Sequence, residues 1–523
     1  MLHAELIKKL QHGVKAMLIT QRYSEQIAGV ISCYDRVVIQ GTLPGWCFDG
    51  GMTAFLYANK IKIFDYPQFA NTLREELRSH VESIAKENNL EIEFIRKIAA
   101  FRKDDRIKEI LKKRGMCPGL VHIFSAMESC NSYMPWHDKK TGKTSLKNDS
   151  GKCLHYYFYF IDQDYGLCYL RVPTWCPFRL QFYFNGHNLL AAKLSRQDIG
   201  CEMRENAFLK IDDWPKAQSL SNSIRVEDLH QVLDILASRY VPFLKRYGLA
   251  YRWSIMQAEY ATDIVFKRQV DLGPLYETLV RTAVFSVKPE NIAFFLGQKL
   301  HWNYQGEMGN NFNTRILGTR IKHQMGAVSI KMYDKFGIVL RIETTVNDVS
   351  QFRHYREVQH SDGSKENKIA PMRKSIYSLR SLAQLLKDSN RRYLEFISTF
   401  DDPSGGVKKL DKISEPVKKD DRSYKGFNFF SHTDQKLFEV LARGEFNIRG
   451  FQNSMIRKFI PDLSSASVSR ILKRLVLHGL IKKVARTHKY YLTKLGKAVI
   501  TTGLKTRALF IIPSLAGLEL TIA

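Results

Sequence analysis

Two strand-like stretches near residue 335 carry the densest polar chemistry of the sequence. In AVSIKMYDK, side-chain alternation along a strand places Lys331 and Tyr333 on one face, and in GIVLRIETTV it places Arg341 and Glu343 on one face. Gly337 marks the turn between them. A hairpin here would bring Tyr333, Lys331 and Glu343 together, with His323 on the preceding strand.

These residue types suit phosphodiester cleavage. A tyrosine hydroxyl such as that of Tyr333 can attack phosphorus and form a phosphotyrosyl link. Glu343 and His323 can hold a divalent metal, magnesium or manganese, which polarises the phosphoryl oxygen. Lys331 can neutralise the developing charge. The structural alternative is that Tyr333 packs in the sheet and that Glu343 forms an ion pair with Arg341 or Lys331.

A second catalytic hypothesis starts from Asp35, which stands in the apolar run CYDRVVIQGTL. A buried carboxylate is costly without a partner. With Glu343 and either Asp263 or Asp348, Asp35 would form the acidic site of a two-metal nuclease of the ribonuclease H type. Its alternative partner is Arg36 or another arginine.

The segment CYLRVPTWCPFRLQFYFNGHN interleaves aromatic side chains with arginine and asparagine. Such a mixture is typical of a platform on which single-stranded nucleic acid stacks, and Trp175 and Arg179 are its predicted binding residues. The alternative is that these aromatic residues form a core. Pro177 follows closely, so we expect Trp175 to lie in a turn.

A zinc site is a further alternative for the cysteines of this region. Its ligands would come from Cys153, His155, Cys168, Cys176 and His187, although their spacing matches no standard zinc knuckle. All eight cysteines precede position 202, and none forms a CxxC pair. Reduced thiols are therefore expected.

A sheet flanked by helices must position these residues. The sequence predicts strands at 31–43, 154–162, 167–172 and 178–184, three more between 314 and 346, and helices at 67–89, 226–247 and 371–400. Residues 251–266 are ambiguous between strand and helix. The expected fold class is α+β, with a mixed or antiparallel sheet in a central body. We divide the chain into an N-terminal α/β region (1–135), this body (136–400), a linker (401–427) and a C-terminal domain (428–523).

The C-terminal domain has its own pattern: helix, helix, a third helix capped by Ser464 or Ser465, and two short strands. The predicted nucleic-acid-binding residues of the third helix are Ser465, Ser467, Ser469, Arg470, Lys473 and Arg474. Those of the strands and the turn between them are Lys482, Lys483, Arg486, His488 and Lys489.

The phrase VSRILKRLVLHGLIKKVARTHKYYLT resembles the winged helix-turn-helix of bacterial regulators. The resemblance implies that the third helix enters the major groove and that the hairpin contacts the backbone or the minor groove. Charge agrees with it, because Arg449 to Arg507 contains 14 Lys and Arg against one Asp. That cluster holds nearly half of the net charge of +28 that the 523 residues carry, so nucleic acid is the expected partner.

The run YDK, a turn and LRIE resembles the end of the catalytic domain in rolling-circle replication initiators of plasmids and filamentous phages. The resemblance covers about 35 residues. It implies that Glu343 is a metal ligand and that Tyr333 is a nucleophile.

The sequence thus predicts a nucleic-acid-binding protein of a mobile element or plasmid that nicks or processes DNA as a replication initiator or transposase does. The alternatives are a non-enzymatic winged-helix transcription regulator and an RNA-binding protein. Hydrophobic residues at 44% exclude general disorder. The N-terminus has no secretory pattern and no apolar run reaches about 18 residues, so we expect a cytoplasmic protein without a membrane partner. A dimer is compatible with the sequence.

Overall fold

A computed structural model describes residues 17–96, 101–298, 308–315, 318–398 and 404–519. Residues 1–16, on which the expected absence of a secretory signal partly depends, and residues 520–523 lie outside these ranges. The protein is α+β, as predicted, and divides into two compact units, Met1–Asp401 and Asp402–Ala523.

The first unit contains a sheet of eleven strands, which are numbered along the chain. Hydrogen-bonded neighbours follow each other in the order β10-β11-β12-β13-β9-β1-β6-β5-β4-β3-β2. The strands are β1 (Ile27–Thr42), β2 (Ile92–Ile95), β3 (Gly119–His137), β4 (Thr144–Asp162), β5 (Gly166–Pro173), β6 (Leu180–Phe184), β9 (Arg252–Phe266), β10 (Met308–Arg315), β11 (Gly318–Met325), β12 (Val328–Lys335) and β13 (Val339–Val346). Described neighbours run antiparallel, except that β2 is parallel to β3.

Helices and two separate hairpins complete this unit. The hairpins are β7 (Cys201–Arg204) with β8 (Ala207–Ile211) and β14 (Arg353–Gln359) with β15 (Lys365–Pro371). The helices are α1 (Ile19–Arg22), α2 (Asp49–Ala58), α3 (Tyr66–Glu87), α4 (Lys103–Arg114), α5 (Gly186–Ser195), α6 (Trp214–Asn222), α7 (Val226–Tyr240), α8 (Gln269–Ser286), α9 (Pro289–Phe295) and α10 (Leu379–Ser398).

One face of the sheet packs against long amphipathic helices. In α3, Leu73, Leu77 and Val81 recur every fourth residue and are buried, as the sequence pattern predicts. They share a core with Val37 and Ile39 of β1 and with residues of α7 and α10. This packing fixes which side of each strand faces the helices, so the alternate residues must face the other side.

That second face is apolar only in part. A small core around α4 covers β3 and β4, and another formed by α5, α6 and β8 covers the start of β1. The remaining buried side chains of this face on β1, β9 and β13 include charged groups, among them Asp35, Asp263 and Arg341. Burial of charge on this scale is unusual and directs attention to that region.

The structure differs from one expected domain boundary and assigns the ambiguous stretch of the sequence. The boundary at 135/136 falls inside β3, and the regions on either side belong to one sheet. The ambiguous stretch 251–266 is the strand β9, which pairs with β1 and β13 and lies between them.

The second unit begins within the stretch that the sequence predicts as a linker. Residues 404–424 form a helix and a short hairpin, and Ile413 and Phe427 are buried in the core of this unit. Its elements are α11 (Ser404–Ser414), β16 (Val417–Lys419), β17 (Arg422–Tyr424), α12 (His432–Leu441), α13 (Gly444–Arg449), α14 (Asn453–Arg457), α15 (Ser465–Leu477), β18 (Ile481–Lys483), β19 (Tyr490–Leu492), α16 (Lys494–Thr506) and α17 (Ile512–Glu519). The charged residues of 401–427 predict a solvated linker. In the structure, Ile413 and Phe427 instead pack in the core of the second unit.

Helix α15 corresponds to the predicted third helix. The side chain of Ser464 accepts a hydrogen bond from the backbone of Ser467, which confirms one of the two predicted caps. The hairpin β18–β19 follows, as the sequence pattern predicts. Whether this order of elements is a winged helix stays a prediction.

One described stretch has the length and apolar composition needed to cross a membrane. It runs over Lys494–Ala516, and 6% of its most apolar window is buried.

Candidate metal centre

Three carboxylates converge on the polar face of the large sheet. Asp35 lies on β1, Glu259 on β9 and Glu343 on β13, and each offers an oxygen within 4.8 Å of the others. Strand pairing explains the convergence. Glu343 lies opposite Ala261, which is two residues from Glu259 on the same face of β9. The small side chain of Ala261 leaves the space above the strand to the carboxylates.

A β-bulge brings Asp35 to this face. Tyr34 pairs with Tyr260 and Arg36 pairs with Glu259, so Asp35 has no partner residue on β9. Tyr34 points to the helical side, where its hydroxyl donates to the backbone of Leu379. The extra residue therefore turns Asp35 towards the other carboxylates.

Asp35 also belongs to a buried ion-pair network centred on Arg341. The Arg341 guanidinium, fully buried, donates to both oxygens of Asp263 at 2.6 and 2.7 Å, and its Nη1 lies 3.3 Å from Asp35 Oδ1. His187 Nδ1 lies 3.0 Å from the same Asp35 oxygen, and Asn206 donates to it at 2.6 Å. This confirms the alternative that Asp35 is paired with an arginine, but the arginine is Arg341 rather than Arg36.

Glu343 forms the second polar group with two neighbours on β12. Lys331 Nζ donates to Glu343 Oε1 at 2.8 Å, and the Tyr333 hydroxyl donates to Oε2 at 2.7 Å. Lys331 also lies 3.5 Å from Glu259 Oε1. The prediction that Tyr333, Lys331 and Glu343 meet is confirmed, and so is the predicted ion pair between Glu343 and Lys331.

The crowding of negative charge alters proton affinities. Burial, together with the adjacent Glu343 carboxylate, raises the pKa of Glu259. Burial and Glu343 also raise the pKa of Tyr333, so its hydroxyl is neutral near pH 7. Burial alone would lower the pKa of Lys331, but Glu343 and Glu259 outweigh it and raise it. Lys331 therefore stays positively charged near pH 7. Its single charge does not neutralise both Glu343 and Glu259.

The three carboxylates fit a hard divalent cation. Magnesium and manganese prefer oxygen ligands, and magnesium takes octahedral bonds of about 2.1 Å, which place neighbouring ligand oxygens about 3 to 4 Å apart. The oxygens of Asp35, Glu259 and Glu343 all lie within 4.8 Å of one another, which is close to that spacing. A set of carboxylates without histidine or cysteine is less typical of zinc, whose sites usually include nitrogen or sulfur ligands.

Two residues predicted for this site lie elsewhere. His323 pairs with Ile330 and points to the helical face, where its ring contacts the Tyr393 hydroxyl at 3.2 Å. The prediction that it lies beside Glu343 is therefore wrong. Asp348 accepts hydrogen bonds from Ser350 instead of joining Asp35. Asp263, the other partner predicted for Asp35, does lie near it, because Arg341 contacts both carboxylates.

Glu259 and Asn206 were missed by the sequence interpretation. Glu259 stands in the stretch left ambiguous between strand and helix, so its face was undefined. Its signal is the four-residue spacing to Asp263, which places both on one face of a strand. Asn206 lies in the β7–β8 turn, where nothing in its sequence context marks it.

The two predicted stacking residues, Trp175 and Arg179, line one small cavity, whereas the five proposed zinc ligands do not form a site. Trp175 lies in a turn, as predicted, and its indole donates to Ser132, whereas Arg179 donates to the backbone of Cys47. Cys168 and Cys176 are buried in the helical-side core, as are several of the aromatic residues of this segment. His187 belongs to the Arg341 network, so the five proposed zinc ligands do not come together.

Most predicted binding residues of the second unit are exposed. They include Ser465, Ser469, Arg470, Lys473, Lys482, Lys483, Arg486 and His488, while Ser467 and Lys489 are half-buried. Arg474 is the exception. Its guanidinium is buried, donates to both oxygens of Asp434 at 2.8 and 2.9 Å, and binds the backbone of Gly426. The prediction that Arg474 contacts nucleic acid is contradicted by this structural role.

The contacts of the other predicted binding residues on α15 are exposed to solvent. Asn453 donates to Ser469 Oγ and to the backbone of Ser465, and Lys473 lies 3.7 Å from Asp420. Exposed ion pairs of this kind are easily exchanged for contacts to phosphate.

Comparison with known families, curated proteins and solved structures finds no match for this chain.

Proposed function

We propose that the protein binds nucleic acid and performs metal-dependent phosphodiester chemistry at Asp35, Glu259 and Glu343. The observation that carries the proposal is the approach of these three carboxylates within 4.8 Å on one sheet face. Carboxylates together with substrate phosphate oxygens are the usual ligands of magnesium in enzymes that act on phosphates. The net charge of +28 supports a polyanionic substrate.

In this proposal the chain supplies the remaining groups around the reacting phosphate. A bound divalent cation would polarise the phosphoryl oxygen and offset its negative charge. Lys331, held by Glu343, is a cation beside the same position. Tyr333 is hydrogen-bonded to Glu343 Oε2, the atom that would take its proton as its hydroxyl oxygen attacks phosphorus. The bond to the leaving sugar oxygen then breaks, and that oxygen takes a proton from solvent.

The test is cleavage of labelled single-stranded DNA, hairpin DNA and RNA by the full-length protein with magnesium or manganese. We expect metal-dependent cleavage, and with Tyr333 as nucleophile a covalent protein–strand adduct that disappears in Tyr333→Phe. Cleavage without an adduct and with an active Tyr333→Phe variant would assign the attack to water. Absence of cleavage of every substrate with both metals would contradict the proposal.

A second candidate is a nucleic-acid-binding protein without catalysis. One observation favours it: Lys331 bridges Glu343 and Glu259 at 2.8 and 3.5 Å, so a cation already stabilises the pair. In that case the cluster is a structural ion-pair network, and calorimetric titration with manganese would show no binding. Transcription regulation and RNA binding both belong to this candidate.

The exposed cations of α15 are proposed to dock the protein on nucleic acid. Arg470→Ala combined with Lys473→Ala should weaken duplex binding, and the slope of log affinity against log salt should fall by about two, because two phosphate contacts are lost. Fluorescence anisotropy over a salt series measures both. Lys408→Ala with Lys409→Ala, which removes two exposed lysines of α11, is the matched control. Equal affinity and slope in both double variants would remove α15 from the interface.

A further inference from the structure

A cavity of about 570 Å³ lies away from the carboxylate cluster, between α3, the far half of the β3–β4 hairpin and the turn after β5. Its volume is within the range of small-molecule sites. Of its described lining residues, three are cationic (Arg74, Arg78 and Lys152) and one is acidic (Asp149). The cavity therefore favours an anionic ligand.

Two arginines supply the main cationic wall. Arg74 and Arg78 are four residues apart on α3, so they project from the same side of the helix. Glu75 contacts both, at 2.9 and 3.3 Å, but does not line the cavity. A guanidinium has five N–H donors, so each arginine keeps donors for a second partner. Paired guanidinium groups match the geometry of a phosphate.

Trp175 supplies an aromatic wall. Its indole N–H donates to Ser132 Oγ at 2.8 Å, which holds the ring in place in its turn. The Arg74 guanidinium lies 5.8 Å from the ring centroid, so the phosphate-binding group and the aromatic ring are adjacent. An aromatic ring beside arginine is the combination that proteins use to stack nucleobases.

A third feature points to a bound ligand. Thr174 is 1% exposed and lines the cavity, yet its hydroxyl has no hydrogen-bond partner among the residues that the structure describes. Buried hydroxyl groups are nearly always paired, because an unpaired one loses its bond to water without replacement. The hydroxyl oxygen is itself buried, so a ligand in the cavity becomes its partner when the Thr174 side chain rotates towards it.

We propose that this cavity binds a nucleotide, with the base against Trp175, the phosphate on Arg74 and Arg78, and the Thr174 hydroxyl bonded to the ligand. The nucleotide is either free or the terminal residue of a nucleic-acid strand, since both present the same base and phosphate. The site goes beyond the proposed metal chemistry and depends on none of its residues.

Isothermal titration calorimetry of the full-length protein, without divalent metal, tests the proposal. The probes are adenosine 5′-monophosphate, adenosine, inorganic phosphate and a short 5′-phosphorylated oligonucleotide. We expect the monophosphate to bind more tightly than adenosine or phosphate alone. Much tighter binding of the oligonucleotide would identify a strand end as the ligand, and equal or weaker binding would identify a free nucleotide.

Three variants assign the binding to this cavity. Arg74→Gln combined with Arg78→Gln should weaken nucleotide binding about tenfold or more, because charge-assisted bonds to phosphate are lost. Thr174→Val, which preserves volume, should weaken it to a smaller extent. Arg225→Gln, at an exposed arginine outside the cavity, should bind as the wild type does. Unchanged binding in the double variant, or no binding of either nucleotide probe at millimolar concentration, would overturn the proposal.

Discussion

Replacement of Glu343 with glutamine is expected to reduce metal-dependent cleavage by at least about 100-fold and to weaken manganese binding to a similar degree. Loss of groups that only support a metal ligand costs about 10- to 100-fold, so loss of a ligand itself should cost at least as much. Glutamine keeps the size of the side chain and one acceptor for Lys331 Nζ. The fold should therefore survive while the negative charge is lost.

A matched variant separates this effect from a general change of charge. Glu357 is an exposed carboxylate on β14 that pairs with Lys365, so Glu357→Gln removes the same charge away from the cluster. It should cleave as the wild type does. Circular dichroism checks that both variants are folded. A Glu343→Gln protein that is folded, binds manganese normally and still cleaves would exclude Glu343 as a ligand.

Local alternation along strands made part of the site predictable. Lys331 and Tyr333 are two residues apart on β12, and Glu343 follows on β13 after a turn at Gly337, whose φ of +70° suits glycine. A short hairpin between adjacent strands has few possible registers. Its side-chain contacts therefore follow from the sequence within narrow limits.

The misplaced His323 shows the limit of that reasoning. In the pairing of β11 with β12, His323 lies opposite Ile330 and Lys322 lies opposite Lys331. A shift of one residue in register would have exchanged the two faces. The tight turn at Gly326 sets this register. His323 alternates with Ile321 and Met325, which are buried in the helical-side core, so it lies on the face opposite to Glu343.

Long-range pairing explains the residues that were missed. Glu259 meets Asp35 only because β9 lies between β1 and β13, and more than 200 residues separate β1 from β9. Arg474 is a comparable case in the second unit. On a helical projection it belongs to the polar side of α15, but Asp434, forty residues earlier, holds it in the interior. Sequence spacing alone does not reveal such partners.

Replacement of Arg341 with methionine should lower the free energy of unfolding of the first unit by about 3 to 5 kcal/mol. Removal of one member of a buried ion pair has that cost because the partner charge remains buried and uncompensated. Here two carboxylates lose a cation: Asp263, which is fully buried, and Asp35. Urea unfolding followed by tryptophan fluorescence and circular dichroism measures the change.

Acidification should reduce the difference in the free energy of unfolding between the wild type and Arg341→Met. Burial alone would raise the pKa of Asp263, but Arg341 outweighs it and lowers that pKa below the unfolded value of about 4. In the wild type this contribution to stability is present above pH 4 and is lost as the pH falls through the folded pKa. Without Arg341, burial raises the pKa of Asp263, so protonation neutralises this carboxylate at a higher pH. The variant should therefore lose less stability than the wild type on acidification.

A second substitution identifies the cause of the instability. Asp263→Asn added to Arg341→Met removes the uncompensated charge at position 263 while keeping the size of the side chain, and it should restore a substantial part of the lost free energy. Arg225→Met, at an exposed ion pair with Asp228, should change stability by less than about 1 kcal/mol. If Arg341→Met were as mild as Arg225→Met, or if the double variant were less stable than Arg341→Met alone, uncompensated charge at Asp263 would not be the cause.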